Sequence, residues 1–156
     1  MSFDITILGC GSALPTSSRN PSSQLIKIEN CCFLIDCGEG TQIQLRKNKI
    51  RMQRIEHIFI SHLHGDHYFG LPGLLSSFHL LGRKKELNIY GPKGLKDLIN
   101  LVFKHSNTYL KYEVKYHDIN GEEKQLIFKN KSLEVYTIPL RHSIVTCGFL
   151  FKEKIN

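Results

Sequence analysis

His62-Leu63-His64-Gly65-Asp66-His67 places three imidazoles and one carboxylate inside six residues. Imidazole nitrogen and carboxylate oxygen are donors that suit zinc, and manganese or iron also accept them. In strand-like backbone, side chains i and i+2 share a side, so His62 and His64 reach one ion together. Asp66 and His67 lie beyond Gly65, where a glycine makes a change of direction easy. The spacing therefore points to His62 and His64 on one ion, with Asp66 and His67 aimed at a second. Two cations roughly 3.5–4 Å apart neutralise a phosphodiester, acidify a shared water and stabilise the leaving oxygen. The chemistry expected is hydrolysis of an anionic ester. His57, His79, His105 and His117 stand alone in their segments and read as ordinary core or surface residues.

A strand that ends in a ligand-rich loop holds such groups on a rigid support. Residues 55–60, Ile-Glu-His-Ile-Phe-Ile, are nearly all apolar, as a central strand is, and run straight into the cluster. Residues 3–8 alternate like a strand, closed by Gly9-Cys10-Gly11-Ser12. After a polar loop from Pro15 to Pro21, residues 22–28 and 31–36 read as a hairpin about Glu29-Asn30. A helix is expected from Thr41, its candidate cap, to Asn48. Further helices are expected over 74–81 and 95–104, with a short strand over 87–90 between them. The rest is mostly strands, over 112–118, 124–128, 132–138 and 145–151, with Asn120-Gly121 as a hairpin turn. The mixture implies α/β layers, with helices packed on sheets.

The chain has 156 residues, 41% of them hydrophobic, which suits one compact domain with its own core. The formal net charge of +7 fits either an anionic partner or a solvated basic surface. No apolar run is long enough to span a bilayer, and the start lacks a secretory signal. The five cysteines are odd in number, include no Cys-x-x-Cys pair and lie mostly in apolar segments. A reducing, cytoplasmic compartment is expected.

The cluster resembles the H-x-H-x-D-H signature of the metallo-β-lactamase superfamily. Its flanks resemble ribonuclease Z, the tRNA 3′-end processing endonuclease. The matching blocks run from Ser22-Ser23-Gln24-Leu25 through Leu34-Ile35-Asp36-Cys37-Gly38-Glu39-Gly40-Thr41-Gln42. They continue in Ser61–His67 with Phe69-Gly70-Leu71-Pro72-Gly73-Leu74-Leu75, in Tyr90-Gly91-Pro92-Lys93-Gly94-Leu95, and in Arg141-His142 ahead of Gly148-Phe149. The resemblance extends in order from residue 3 to about residue 151. It implies a metallo-β-lactamase-like αββα sandwich with two zinc ions. His62, His64 and His142 would bind the first ion, and Asp66 and His67 the second. Asp66 would also be the catalytic proton acceptor for metal-hydroxide attack on a phosphodiester. Asp36 would accept hydrogen bonds near the ligand loop, although a strand-end carboxylate in a turn is the plainer reading. The substrate implied is precursor tRNA, cut to a 3′-hydroxyl and a trailer with a 5′-phosphate. Arg83, Lys84, Lys85, Lys93, Arg46, Lys47, Lys49, Arg51 and Arg54 are candidates to hold its backbone.

The ribonuclease Z pattern adds a bridging aspartate and a final histidine well downstream of the position matching His142. Ser143 to Asn156 contain neither, and Asp4, Asp97 and Asp118 sit in other contexts. The protruding tRNA-binding arm has no counterpart either. The expectation is one domain over residues 1–156, truncated at its C-terminal side and corresponding to the N-terminal half of the sandwich. Such a half would expose its inner face, to be covered in a homodimer or by a complementary C-terminal half. The second zinc site would be weak or empty, and the chain alone would process little. Two alternatives stand: a hydrolase of the same fold acting on a sulfate ester, lactone or cyclic nucleotide, or a catalytically silent fragment that binds zinc or RNA.

Overall fold

The computed structural model describes residues 2–154. The chain opens with three antiparallel strands, β1 (Phe3–Gly9), β2 (Ser23–Ile28) and β3 (Cys31–Ile35). Three parallel strands follow in the same sheet: β4 (Ile55–Phe59), β5 (Leu87–Gly91) and β6 (Val114–Asp118). Spatial order is chain order, β1-β2-β3-β4-β5-β6. Parallel neighbours need crossovers, and helices supply them. These are α1 (Thr41–Lys47), the short α2 (Gly65–Tyr68) with α3 (Leu71–Leu80), and α4 (Leu95–His105). A separate antiparallel sheet then forms from β7 (Leu126–Lys129), β8 (Leu133–Leu140) and β9 (Thr146–Glu153).

Alternation along the strands builds two cores. Leu34 and Ile58 face the helices, where they meet Leu45 of α1, Leu74, Leu75 and Phe78 of α3, and Ile99 of α4. Their neighbours Phe33 and Phe59 face the other way, into a core shared with Leu133, Val135 and Cys147 of the small sheet. The result is three layers, helices on sheet on sheet. Among the described residues the helices pack on one side only. The sandwich of the sequence reading is therefore present without its second helical layer.

The inner face is less bare than the sequence implied. The small sheet covers its middle, with the Phe151 ring centroid 5.4 Å from that of Phe33 and 5.7 Å from that of Phe59. What stays open is the inner row of β1. Phe3 and Ile5 pair in register with the buried Ile28 and Ile26, yet Ile5 and Ile7 are 59% and 56% exposed.

Several local expectations change. Asn120-Gly121 is not a hairpin turn, because β6 and β7 lie in different sheets and the turn carries the chain between them. Thr41 is not the cap of α1. Gly40, at φ 82°, holds that position, and the Thr41 hydroxyl donates to the Gly38 carbonyl at 2.7 Å. α3 begins at Leu71, ahead of the expected 74, because proline is tolerated in a first helical turn. Tyr112 lies outside β6, and its buried hydroxyl donates to the Leu75 carbonyl at 2.9 Å.

His57 is a core residue, stacked on Phe33 with centroids 5.4 Å apart and edge-on to Phe128 at 4.6 Å. Its Nδ1 is buried with no hydrogen-bond partner among the described residues. Burial lowers its pKa from 6.5 to about 4. The unfolded chain therefore takes up this proton first, so stability is full above pH 6.5 and falls as pH drops toward 4. The loss is on the order of 3 kcal/mol. His57→Phe should flatten this part of a denaturation series taken between those pH values.

Candidate metal centre

The ligand loop leaves the C-terminal end of β4, the central strand. His64 is still extended, at φ −78° and ψ 141°, and immediately precedes α2. The turn of α2 then brings Asp66 and His67 round. Gly65 has no left-handed backbone, and the Phe69 ring lies close over it. A Cβ at Gly65 would lie 2.1 Å from the Phe69 ring.

His142 arrives from the other sheet, on the loop joining β8 to β9. The backbone N–H of Cys147 donates to the Ser61 carbonyl at 3.2 Å and pins that loop beside the exit of β4. The ring centroids of His62, His64 and His142 form a near-equilateral triangle of 4.8, 4.9 and 5.0 Å. Their donor nitrogens lie within 4.8 Å of one another, and this is the one such trio among the described residues. His142 Nε2 and His64 Nδ1 are 3.1 Å apart. Nitrogens sharing one tetrahedral zinc stand about 3.3 Å apart, so the His64–His142 pair stands at ligand spacing, and three imidazoles are a donor set that zinc accepts. The trio grades from buried His62 to exposed His142 and lines a cavity of about 590 Å³. Among the described residues, Arg141 is the only lysine or arginine along that cavity.

Asp66 and His67 sit beside the trio. His67 Nε2 is 3.4 Å from Asp66 Oδ2, and the His62 and His67 ring centroids are 4.0 Å apart. Asp66 Oδ2 also accepts the backbone N–H of Ala13 at 3.0 Å. This puts two donors side by side, and among the described residues no third joins them.

Asp36 organises the floor. It is 4% exposed and holds φ 56°, a left-handed backbone that aspartate tolerates better than most residues. Its Oδ1 accepts the Ser61 N–H at 2.8 Å. Its Oδ2 accepts the hydroxyls of Ser61 and Ser22 at 3.0 and 3.2 Å, and faces His67 Nδ1 at 2.6 Å. The sequence reading of Asp36 as a hydrogen-bond acceptor holds. Burial is the largest influence on His67 and opposes its protonation. The hydrogen bond and charge of Asp36, with the charge of Asp66, outweigh burial, and the pKa rises. Burial, then the neighbouring His67, lowers that of His62 to about 4. The metal-free trio thus keeps a neutral His62 at neutral pH.

The basic candidates fare differently. Arg83 is no backbone contact: it is 4% exposed and donates to the carbonyls of Lys85 and Glu86 at 2.8 and 2.9 Å. Its guanidinium also lies over the Phe78 ring at 4.9 Å. Lys85 pairs with Glu56 at 2.9 Å. Lys49, Arg51 and Arg54 line a separate pocket with Lys27 that shares no residue with the cavity of the trio. Ser61 and the Ala13 N–H received no role from the sequence, although Ser61 sits inside the quoted motif.

Residues 3–156 match the family model described as "Anti-Pycsar protein Apyc1". The chain belongs to that family. It is also similar to a ribonuclease Z of Bacteroides fragilis, 49% identical over 152 residues, covering 97% of this chain and 50% of the relative. The chain thus spans about half the length of the curated relatives it matches. Among solved structures, the short form of human tRNase Z superposes with a TM-score of 0.87 at 37% identity, covering 96% of this chain and 64% of that one. The metallo-β-lactamase fold protein YhfI of Bacillus subtilis matches at 0.75 with 16% identity, over 96% of this chain and 57% of its own. That match speaks for the fold, which is the metallo-β-lactamase fold.

Proposed function

We propose that this chain supplies the metal-binding part of a zinc-dependent endoribonuclease that removes 3′ trailers from precursor tRNA. The convergence of His62, His64 and His142 from two sheets, beside the His67–Asp66 pair, carries this reading. Likeness to proteins named ribonuclease Z and tRNase Z supports the substrate. Bound there, zinc would polarise a phosphodiester and acidify a water. The trio would hold the first ion, and Asp66 with His67 would contribute to a second, weaker site. Asp66, with one carboxylate edge open to the cavity, would take the proton from the attacking water. Arg141 lies where a phosphate oxygen would enter. The reading places the protein in the cytoplasm. No helix among the described residues is long and apolar enough to cross a membrane.

The reading also requires the other half of the domain, which relatives of about twice this length carry. Residues 1–156 would act as one part of a catalytic domain completed by a complementary half or within a homodimer. The open inner row of β1 is where such a half would lie. The test adds the unmatched half of the Bacteroides fragilis relative, expressed separately, to this chain with zinc and precursor tRNA. Trailer release that needs both polypeptides and stops with chelator is the expected result. Multiple turnover by the chain alone would overturn the partner requirement, and zinc-independent cleavage the metal reading. The matched family's description names no tRNA. A cyclic nucleotide, itself a phosphodiester, is therefore the second substrate to assay, and its exclusive hydrolysis would replace tRNA.

A further inference from the structure

We infer that Ser61 is a positioning residue that couples the two halves of the metal centre, by fixing which nitrogen of His62 carries its proton. This rests on the metal-binding reading above. Ser61 is 9% exposed and sits where three groups meet. Its Oγ lies 3.0 Å from Asp36 Oδ2, 3.0 Å from His62 Nδ1 and 3.2 Å from His67 Nδ1.

A hydroxyl carries one proton and two lone pairs, whereas an ionised carboxylate only accepts. Asp36 therefore draws the Ser61 proton. The hydroxyl oxygen is left as an acceptor, and His62 satisfies it only by carrying its proton on Nδ1. That leaves the lone pair of His62 on Nε2, the atom turned away from Ser61. Were the hydroxyl to turn and donate to His62 instead, His62 Nε2 would be protonated and lost as a ligand. Asp36 would meanwhile lose a donor. The same carboxylate oxygen takes the Nδ1 proton of His67 at 2.6 Å and frees His67 Nε2 toward Asp66. One carboxylate and one hydroxyl thus set the tautomer of a ligand in each site.

The arrangement is asymmetric. His67 reaches Asp36 directly, while His62 reaches it only through Ser61. Removing the hydroxyl releases His62 alone. Losing such an outer partner typically weakens metal binding 10- to 100-fold. Ser61→Ala should therefore weaken the tighter zinc site by that factor. Ser61→Thr keeps the hydroxyl and should restore binding to within about threefold of the parent, because the outer partner is retained.

Two readouts decide it. Competition of zinc with a chromophoric chelator gives the affinities of the parent, Ser61→Ala and Ser61→Thr chains. Nitrogen-15 NMR of the metal-free protein gives the His62 tautomer directly. The expected result is an Nδ1-protonated His62 in the parent and in Ser61→Thr, and a mixed or Nε2-protonated His62 in Ser61→Ala. A Ser61→Ala chain with parental affinity, or a parental His62 protonated on Nε2, overturns the inference. A lowered melting temperature with unchanged affinity and tautomer also overturns it, showing a purely structural serine. Failure of the parent to bind zinc overturns the metal reading itself, whereas the tautomer measurement still reports on Ser61 alone.

Discussion

Asp36→Asn should produce a chain about 2–3 kcal/mol less stable that also binds zinc at least tenfold more weakly. The substitution keeps the size of the side chain and its tolerance of a left-handed backbone, so strain at φ 56° is not introduced. What it removes is one of two accepting edges. Oδ1 takes the Ser61 N–H, while Oδ2 faces two hydroxyls and His67. A carboxamide has a single accepting oxygen. If its NH₂ faces Ser61 N, two donors oppose each other in a buried site. If it faces His67, the ring must move its proton to Nε2 and is lost as a ligand. The first case leaves a buried donor unpaired, and the second moves a proton onto a ligand nitrogen. For a chain of this size the melting temperature should fall by about 5–10 °C. Chemical denaturation and chelator competition check the two halves of the prediction. Parental zinc affinity in Asp36→Asn would show that His67 keeps its tautomer without the carboxylate.

Gly70→Ala should be as damaging from further away. A Cβ at Gly70 would stand 2.2 Å from the Gly38 carbonyl oxygen and 3.0 Å from that of Cys37. Both are backbone atoms, so no side chain can yield. The same contact carries the Gly70 N–H to the Cys37 carbonyl at 2.9 Å and the Cys37 N–H to that of His67 at 2.7 Å. Separating these segments pulls the Asp36 turn away from the ligand loop. The expected cost is about 3 kcal/mol, the upper end for overpacking. Gly73→Ala is the contrast. Its Cβ would meet only the Gln42 side-chain amide at 3.1 Å, and Gly73 is an exposed residue within α3. Alanine is the better helix former by about 1 kcal/mol, so this variant should be neutral or more stable. Melting curves of the two variants side by side make the comparison, and equal losses would refute it.

The sequence disclosed what depends on side-chain type at short range. The apolar run of residues 55–60 is β4 at the centre of its sheet, and the six-residue cluster lies in the loop at its end. The hairpin of β2 and β3 about Glu29-Asn30 also stood as read. What it concealed depends on where backbone goes. Asn120-Gly121 has the composition of a hairpin turn, yet whether its flanking strands pair is settled by two different sheets. Arg83 has the charge of an RNA contact, but carbonyls of Gln53, Lys85 and Glu86 surround its guanidinium. Ser61 looks like an ordinary residue before a motif. Its weight comes from Asp36, twenty-five positions earlier in the chain.

His142 and His64 belong to different sheets and lie 78 positions apart. An ion held by both, as proposed, would therefore be a clasp as well as a reagent. Binding the folded chain alone, it would add about 2.7 kcal/mol to the unfolding free energy at 100 times its dissociation constant. That contribution falls at the seam between the layers. Without the ion, amide exchange in β7–β9 should proceed by local opening of the small sheet from the large one. With the ion, those amides should exchange only as fast as the large sheet opens, because neither layer can leave without breaking the clasp.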